Sequence, residues 1–304
     1  MKSKKSNRRF FKQGRTRQIR TVTILPSVVT LINGLFGFAA IGLATQGSRY
    51  FALAGYFIFY AMIADMLDGR LARMSHTTSS FGGQLDSLCD VVSFGAAPAI
   101  LIFRVLMQNF PDMFGSETFF FSDFFRRFIW LSPAVFFSCT AIRLARFNVE
   151  NEEDESAHLS FTGLPSPAAA GVIASLVILI EHIRVDPASG TAVLTVLLKT
   201  LLYALPFVSI GAGALMVSRI RYPHLMNQYL RGRKPITHLF WIAVIVALIW
   251  QAGLPASLVI VFGGFAISGF VRWLWLKLSP AGRKATADLQ QPEEESPPLP
   301  HPPS

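Results

Sequence analysis

The stretch from Ala64 to Ala99, ADMLDGRLARMSHTTSSFGGQLDSLCDVVSFGAAPA, joins two apolar runs of the chain and carries four aspartates, at positions 65, 68, 86 and 90. The first two aspartates are three residues apart and the last two are four apart, so each pair shares one face of a helix. The residues between the pairs, 74–85, are rich in Ser, Thr and Gly, which predicts a loop that joins two antiparallel helices. The two pairs of carboxylates are therefore expected to face each other at one end of this helix pair.

The composition of the 304-residue chain predicts that lipid surrounds most of it. Hydrophobic residues make up 52% and charged residues only 15%, whereas an average soluble domain has about 25% charged residues. The mean hydropathy is +0.44. A helix needs about 20 apolar residues to cross the hydrocarbon of a bilayer. Apolar runs of about this length predict an all-α transmembrane bundle of about eight spans, at residues 26–45, 50–68, 86–107, 128–146, 166–183, 196–217, 237–252 and 254–276.

The net charge of +10 is unevenly distributed. Nine of the 28 basic residues lie between Lys2 and Arg20, with no acidic residue among them. No nucleic-acid-binding motif follows, so we expect no nucleic-acid partner. A basic arm ahead of an apolar span is typical of a segment that stays in the cytoplasm and contacts anionic lipids. We therefore predict a multi-pass protein of the cell membrane, with both termini and the aspartates on the cytoplasmic side.

These features divide the chain into four predicted segments. A basic cytoplasmic arm occupies residues 1–22, and a catalytic membrane core follows over residues 23–220. Residues 221–278 form a basic cytoplasmic loop and two further spans. The tail, residues 279–304, is rich in Pro and Glu and is expected to be disordered.

The four aspartates predict a metal site. A charged side chain near the centre of a bilayer costs about 2.5–3.5 kcal/mol, so such residues are usually functional. Four converging carboxylates repel one another unless cations join them, and hard oxygen ligands favour Mg²⁺ or Mn²⁺, ions that suit a pyrophosphate substrate. Two alternatives are open: the aspartates are helix caps and ion-pair partners, or they line the path of a cation transporter. A transporter would need polar residues through the outer half of the bundle, where spans two and three are apolar.

The spacing of these residues resembles the motif of the CDP-alcohol phosphotransferase family. Eight positions over 26 residues match its pattern, namely Asp65, Asp68, Gly69, Ala72, Arg73, Gly82, Asp86 and Asp90. Further stretches, including Ser93-Phe94-Gly95, Arg143–Asn148 and Gly163-Leu164-Pro165, resemble those members of the family that use L-serine as the acceptor alcohol. The resemblance covers residues 20 to about 220.

The resemblance implies a fold, a reaction and a set of site residues. The fold is that of the family, a helical membrane core that forms a homodimer. The reaction transfers the phosphatidyl group of CDP-diacylglycerol to L-serine, with CMP as the other product; glycerol phosphate and inositol phosphate are alternative acceptors. The four aspartates are implied as metal ligands, and Asp90 also as the base that takes the hydroxyl proton. Contact with the CDP group is implied for Asp65, Asp68, Gly69, Ala72, Arg73 and Gly82, and we add Asn33 in the first span.

The acceptor needs a cation if it is an amino acid. Arg143 and Arg146 are three residues apart at the inner end of span four, so they share a helix face at the depth of the aspartates. The planar fork of an arginine suits a carboxylate. Asn148, close to the same end, is a further candidate. The alternative is that both arginines only anchor the helix at the membrane surface.

Overall fold

The structure is a computed structural model, and it describes residues 24–75, 80–110, 120–153, 163–185, 191–218, 220, 222 and 235–278. Eight α-helices account for nearly all of these residues. They are α1 (Ile24–Gln46), α2 (Phe51–Ser75), α3 (Ser80–Asp90), α4 (Ala97–Asn109), α5 (Phe120–Glu153), α6 (Ser166–Val185), α7 (Ala192–Val217) and α8 (Pro235–Leu278). A 3₁₀ turn, Ser48–Tyr50, precedes α2, and a π-helical segment, Val91–Ala96, joins α3 to α4. The predicted all-α membrane bundle is confirmed.

Within the described residues, seven segments are long and apolar enough to cross a membrane. They are Val28–Gln46, Ser48–Leu71, Phe81–Asn109, Arg126–Val149, Ser166–Val185, Ala192–Val217 and Gly253–Trp275. The sequence predicts one more span at 237–252. That stretch is helical and belongs to α8, whose axis breaks at Gly253 (φ 76°) just before Pro255. An eighth span there stays a prediction, and so do the arm at 1–22 and the tail at 279–304, which lie outside the described residues.

Two helix boundaries differ from the sequence prediction. The predicted loop at 74–85 is mostly helical, because α2 continues to Ser75 and α3 already begins at Ser80. Ser and Gly are tolerated in the first turn of a helix, where backbone N–H groups need no partner within the helix. Likewise α5 begins at Phe120, eight residues before the predicted start of span four. Its first proline is Pro133, so no helix-breaking residue separates Phe120 from the predicted start.

Two spans form the centre of the bundle. In an apolar 18-residue stretch of Ser166–Val185, 67% of the residues are buried, and in one of Phe81–Asn109 the share is 61%, against 17–33% in the corresponding stretches of the other five segments. Helix α6 packs against α2, α7 and α8, while α1 packs against α2, α3 and α4. The remaining helix faces are apolar and exposed, as expected for surfaces that contact lipid.

Polar side chains form hydrogen bonds and an ion pair at the end of the bundle where α1 and α4 end. Arg104 donates to the carbonyl of Thr45 at the C-terminus of α1 (3.2 Å), where a cation also interacts favourably with the helix dipole. Arg184 forms an ion pair with the buried Glu181 (3.0 Å) and donates to Asn109. These contacts hold one end of the bundle, and the motif aspartates lie at the other.

Candidate active site

Three of the four aspartates meet in space. Asp65, Asp86 and Asp90 each have a carboxylate oxygen within 4.8 Å of an oxygen of the other two, and we call these three residues the carboxylate cluster. Asp65 lies ten residues before Ser75, the end of α2, and Asp90 lies ten residues after Ser80, the start of α3. Residues equally distant from the connection therefore come together, as expected for two helices that run side by side in opposite directions.

Asp68 is oriented differently from the other three aspartates. Its side chain is buried and accepts a hydrogen bond from the hydroxyl of Thr30 on α1. Its second oxygen, Oδ1, has no hydrogen-bond partner among the described residues. Asp68 still interacts electrostatically with Asp65 and Asp86. It is therefore a neighbour of the carboxylate cluster and not one of its three members.

Helix α1 contacts the aspartates of both α2 and α3. Thr30 bonds to Asp68 on α2, and the side-chain amide of Asn33 donates to Asp90 Oδ1 on α3 (2.9 Å). Thr30 and Asn33 are three residues apart and so project from the same face of α1. Both are buried, Asn33 completely. A polar face on a helix with an otherwise apolar sequence thus becomes part of the site.

Small residues let α1 approach α3 and the π-helical segment closely. A Cβ atom on Gly34 would lie 2.9 Å from Cys89 Sγ, and one on Gly37 would overlap the backbone and side chain of Ser93. The hydroxyl of Ser93 donates to the backbone carbonyl of Asn33 (2.9 Å). The backbone of α1 is therefore fixed at the residue that contacts Asp90.

The π-helical segment, Val91–Ala96, begins immediately after Asp90. The N–H of Ala97 donates to the carbonyl of Val92, five residues earlier. Pro98 follows, and in a regular α-helix its ring would press against the carbonyl four residues before it. The wider π turn relieves that contact, and such turns are frequent at functional sites. The sequence analysis did not predict this segment, although Pro98 inside an apolar run was a signal for it.

Arg143 on α5 lies near enough to Asp90 for their charges to interact. The two side chains interact electrostatically, and Arg143 Nη1 donates to the hydroxyl of Ser166 (2.9 Å), a residue that is only 1% exposed. Arg146, predicted as an equivalent candidate, is exposed. The two arginines thus differ in burial, and Arg143 interacts with a residue of the carboxylate cluster.

A fixed segment of chain positions Ser166. The N–H of Gly163 donates to the carbonyl of Ile220 (2.8 Å), and the N–H of Leu164 donates to that of Leu215 (3.0 Å). Gly163 has φ +92°, and a side chain there would overlap the carbonyl of Met216. This segment therefore requires glycine, and it ties the start of α6 to the end of α7. The sequence analysis quoted Gly163-Leu164-Pro165 but did not consider Ser166.

Asn148, the third predicted acceptor residue, lies against α3. Its Oδ1 accepts a hydrogen bond from the hydroxyl of Ser87 (2.9 Å), the residue that follows Asp86. Ser87 is a second residue that the sequence analysis overlooked. Contact of Asn148 with a substrate stays a prediction.

The predicted CDP-binding residues lie along α2 and the start of α3. Gly69 and Gly82 are partly buried, but the side chains of Ala72 and Arg73 lie outside the described residues. Asn33 contacts Asp90, as described above. Contact of these residues with CDP therefore stays a prediction.

The carboxylate cluster fits a small divalent cation. Asp90 interacts with both Asp65 and Asp86, and these interactions are repulsive when the groups are ionised. Ligand oxygens of Mg²⁺ lie at about 2.0–2.1 Å from the ion, so two of them are at most about 4.2 Å apart. The three oxygens, which lie within 4.8 Å of one another, could converge on one ion through a small adjustment of the side chains. Its oxygen ligands are of the kind that Mg²⁺ and Mn²⁺ prefer.

Comparisons with known proteins agree with this geometry. Residues 23–205 match the family model described as CDP-alcohol phosphatidyltransferase. A protein of Helicobacter pylori named CDP-diacylglycerol–serine O-phosphatidyltransferase is 31% identical over 85% of this chain and 94% of its own length. A protein of the same name from Methanocaldococcus jannaschii is 29% identical over 84% of this chain and 97% of its own. One from Saccharomyces cerevisiae is 34% identical over 48% of this chain and 50% of its own.

The fold and the site together define a polytopic membrane enzyme, a transferase of phospholipid biosynthesis. The chain belongs to the CDP-alcohol phosphatidyltransferase family, because the family model covers more than half of it and the Helicobacter pylori relative matches over most of both chains.

Proposed function

We propose that this enzyme transfers the phosphatidyl group of CDP-diacylglycerol to the hydroxyl of L-serine, giving phosphatidylserine and CMP. The convergence of Asp65, Asp86 and Asp90 at one end of a helical membrane core carries the proposal. The relatives named for serine as the acceptor support the choice of alcohol.

Asp90 is proposed as the general base. It lies at the innermost point of the carboxylate cluster, 8% exposed, and accepts a hydrogen bond from Asn33. It takes the proton of the serine hydroxyl as the oxygen attacks the phosphorus of the phosphatidyl phosphate. The bond from that phosphorus to the CMP oxygen breaks, and CMP leaves with the bonding pair. A positioned base of this kind is worth about 10²–10⁴ in rate.

Asp65, Asp86 and Asp90 are proposed to hold Mg²⁺ or Mn²⁺, with Asp68 as a fourth ligand. A bound ion supplies positive charge against the two phosphates of CDP-diacylglycerol and the departing CMP. The residues around it keep the carboxylates in position: Thr30 orients Asp68 and Asn33 orients Asp90. Transfer takes place at the cytoplasmic end of the bundle, where a soluble nucleotide and a lipid can meet.

Another acceptor is the main alternative to serine. Glycerol phosphate or inositol phosphate carries a phosphate and would need a group of cations beside the carboxylate cluster. Among the described residues near Asp90, Arg143 is the cation shown to interact with it, and it already bonds to Ser166. The planar fork of Arg143 suits the single carboxylate of serine. Four arginines that could form a phosphate site, Arg219, Arg221, Arg231 and Arg233, lie outside the described residues.

The experiment is an acceptor panel. The purified enzyme in detergent or lipid nanodiscs receives CDP-diacylglycerol, Mg²⁺ and one labelled alcohol at a time: serine, glycerol phosphate, inositol phosphate, inositol or ethanolamine. The lipid products are separated by thin-layer chromatography. We expect labelled lipid from serine, at a rate at least 100-fold above the others. A faster reaction with a phosphorylated acceptor would replace serine in the proposed function and leave the family assignment intact.

A further inference from the structure

Two buried polar atoms beside Asp90 lack a hydrogen-bond partner within the described part of the chain: Oδ1 of Asn33 and Nε of Arg143. A buried polar group that forms no hydrogen bond destabilises the folded protein. Such atoms in a folded protein therefore call for an explanation, and one explanation is a ligand that completes them. The Asn33 oxygen is an acceptor and the Arg143 nitrogen is a donor. Both residues interact with Asp90.

The free atom of Asn33 is its carbonyl oxygen. A carboxylate without a proton only accepts hydrogen bonds, so the Asn33 atom that is 2.9 Å from Asp90 Oδ1 must be the amide nitrogen. This contact fixes the orientation of the amide and leaves Oδ1 available. The hydrogen bond from Ser93 to the backbone of Asn33 keeps the residue in place. The unused oxygen is suited to an N–H donor.

The free atom of Arg143 is a donor. Nη1 is occupied by Ser166, which the contacts of Gly163 and Leu164 hold in place. The orientation of the guanidinium is thereby set, and Nε–H is left without a partner. Arg143 as a whole is only partly buried. An N–H of a cation is suited to a carboxylate.

We propose that Asn33 Oδ1 and Arg143 Nε form the two ends of an acceptor pocket for a small zwitterionic hydroxy amino acid, with Asp90 between them. The ammonium group donates to Asn33, the carboxylate accepts from Arg143, and the hydroxyl is directed to Asp90. This inference rests on the proposed function and deepens it. It assigns Asn33 to the acceptor, whereas the sequence analysis assigned it to CDP.

The pocket explains selectivity through the atoms that an incorrect acceptor leaves unpaired. Ethanolamine has no carboxylate and leaves Arg143 Nε without a partner. 3-Hydroxypropionate has no ammonium group and leaves Asn33 Oδ1 without one. Loss of one hydrogen bond to a charged group weakens binding by about 10–150-fold, so both analogues should still compete with serine at high concentration. Both compounds should therefore bind much more weakly than serine, each for a different reason.

A crossed inhibition experiment tests the pocket. The full-length enzyme is assayed with CDP-diacylglycerol and serine, and ethanolamine and 3-hydroxypropionate are the competitors. Arg143→Lys should raise the KM of serine and the inhibition constant of 3-hydroxypropionate at least tenfold, about 1.4 kcal/mol. The same variant should change the inhibition constant of ethanolamine by no more than about twofold from the wild-type value. Asn33→Leu, in which the new side chain has nearly the same shape, should have the opposite effect. It should raise the inhibition constant of ethanolamine and leave that of 3-hydroxypropionate unchanged. The KM of CDP-diacylglycerol should stay within about twofold in both.

Three further variants keep the result decisive. Arg127→Lys changes an exposed arginine at the other end of α5 and should have no effect. Ser166→Ala removes only the hydrogen-bond partner of Arg143. It should raise the KM of serine and the inhibition constant of 3-hydroxypropionate, as Arg143→Lys does, but by a smaller factor. Ser166→Thr should restore the wild-type values. Equal weakening of both competitors in both pocket variants, or no competition by either compound in the wild type, would overturn the pocket. Failure of the wild type to use serine would instead overturn the proposed function, so the two failures are distinguishable.

Discussion

At the scale of single residues, the four aspartates of the motif have different surroundings. Asp90 is buried, accepts a hydrogen bond from Asn33 and interacts electrostatically with Arg143. Asp68 accepts a hydrogen bond from Thr30, and Asp65 and Asp86 complete the carboxylate cluster. The four side chains are chemically identical, but their different surroundings suit them to different roles. Substitutions at these positions should accordingly differ in which step of the reaction they affect.

The division between Asp90 and Asp65 can be tested by amide substitution. Asp90→Asn should lower turnover by about 10²–10⁴, because an amide cannot take the hydroxyl proton, while CDP-diacylglycerol still binds. Asp65→Asn should weaken Mg²⁺-dependent nucleotide binding as well, because it removes charge from the cluster. Turnover and nucleotide affinity are measured on the same preparations. More than about a tenth of the wild-type rate in Asp90→Asn would exclude the general-base role.

Thr30 should matter because it is the hydrogen-bond donor to a buried carboxylate. Loss of a hydrogen bond to a charged group costs about 1.5–3 kcal/mol. We expect Thr30→Val to lower thermal stability and to weaken Mg²⁺-dependent CDP binding, measured by calorimetry, and Thr30→Ser to preserve both. Thr45→Val is the matched control on the same helix, since Thr45 is exposed and its hydroxyl donates to the carbonyl of Gly42. Equal effects of Thr30→Val and Thr45→Val would contradict the role of Thr30.

At the scale of helices, α1 determines how the carboxylates are presented. It contacts the helices that carry both aspartate pairs, and it approaches the second of them at Gly34 and Gly37. The π-helical segment that follows Asp90 supplies Ser93 to the same contact. A change in the distance between α1 and α3 should therefore affect both stability and catalysis.

Gly37→Ala tests this packing. The added methyl group would overlap Ser93, and overpacking of this kind costs about 1–3 kcal/mol. We expect the melting temperature in detergent to fall by about 2–4 °C for each kcal/mol, with loss of activity. Gly42→Ala on the same helix has no atom within 4 Å of the new Cβ and should leave the melting temperature unchanged or slightly raised. If both variants behave alike, close packing at Gly37 is not what positions α1.

The helices themselves could be predicted from the sequence, whereas most contacts between them could not. Apolar length predicted the spans, and the i,i+3 and i,i+4 spacing predicted which aspartates share a face. The hydrogen bond from Asn33 to Asp90 joins residues 57 positions apart, and the one from Thr30 to Asp68 joins residues 38 apart. Local spacing holds no information on such pairs, because they depend on how helices pack. For the same reason Ser87 and Ser166 were missed, and Arg143 and Arg146 appeared equivalent.

At the scale of the whole molecule, the bundle has two distinct ends. One end carries the carboxylate cluster, Arg143 and Asn148, and the other carries the contacts of Arg104 and Arg184. We propose, from the positions of the basic residues, that the carboxylate end is cytoplasmic. The homodimer implied by the family resemblance stays a prediction.

Helix α5 offers a direct test of this orientation, because its two ends reach opposite faces of the bundle. Single cysteines replace Val149 or Arg127, both exposed, in a background in which Cys89 and Cys139 are alanine. A membrane-impermeant maleimide should label the cysteine at position 149 only from the cytoplasmic side and the one at 127 only from outside. Labelling measured on intact and permeabilised cells with the reverse pattern would invert the proposed topology.

The most direct test of the central claim is metal-dependent transfer with a matched count of both products. The purified enzyme receives CDP-diacylglycerol and labelled serine, and CMP and labelled lipid are measured together. We expect one CMP for each phosphatidylserine, no product with excess chelator, and recovery on addition of Mg²⁺ or Mn²⁺, because the carboxylate cluster needs a cation to work beside two phosphates. Full activity in excess chelator, or CMP release that does not depend on serine, would contradict it.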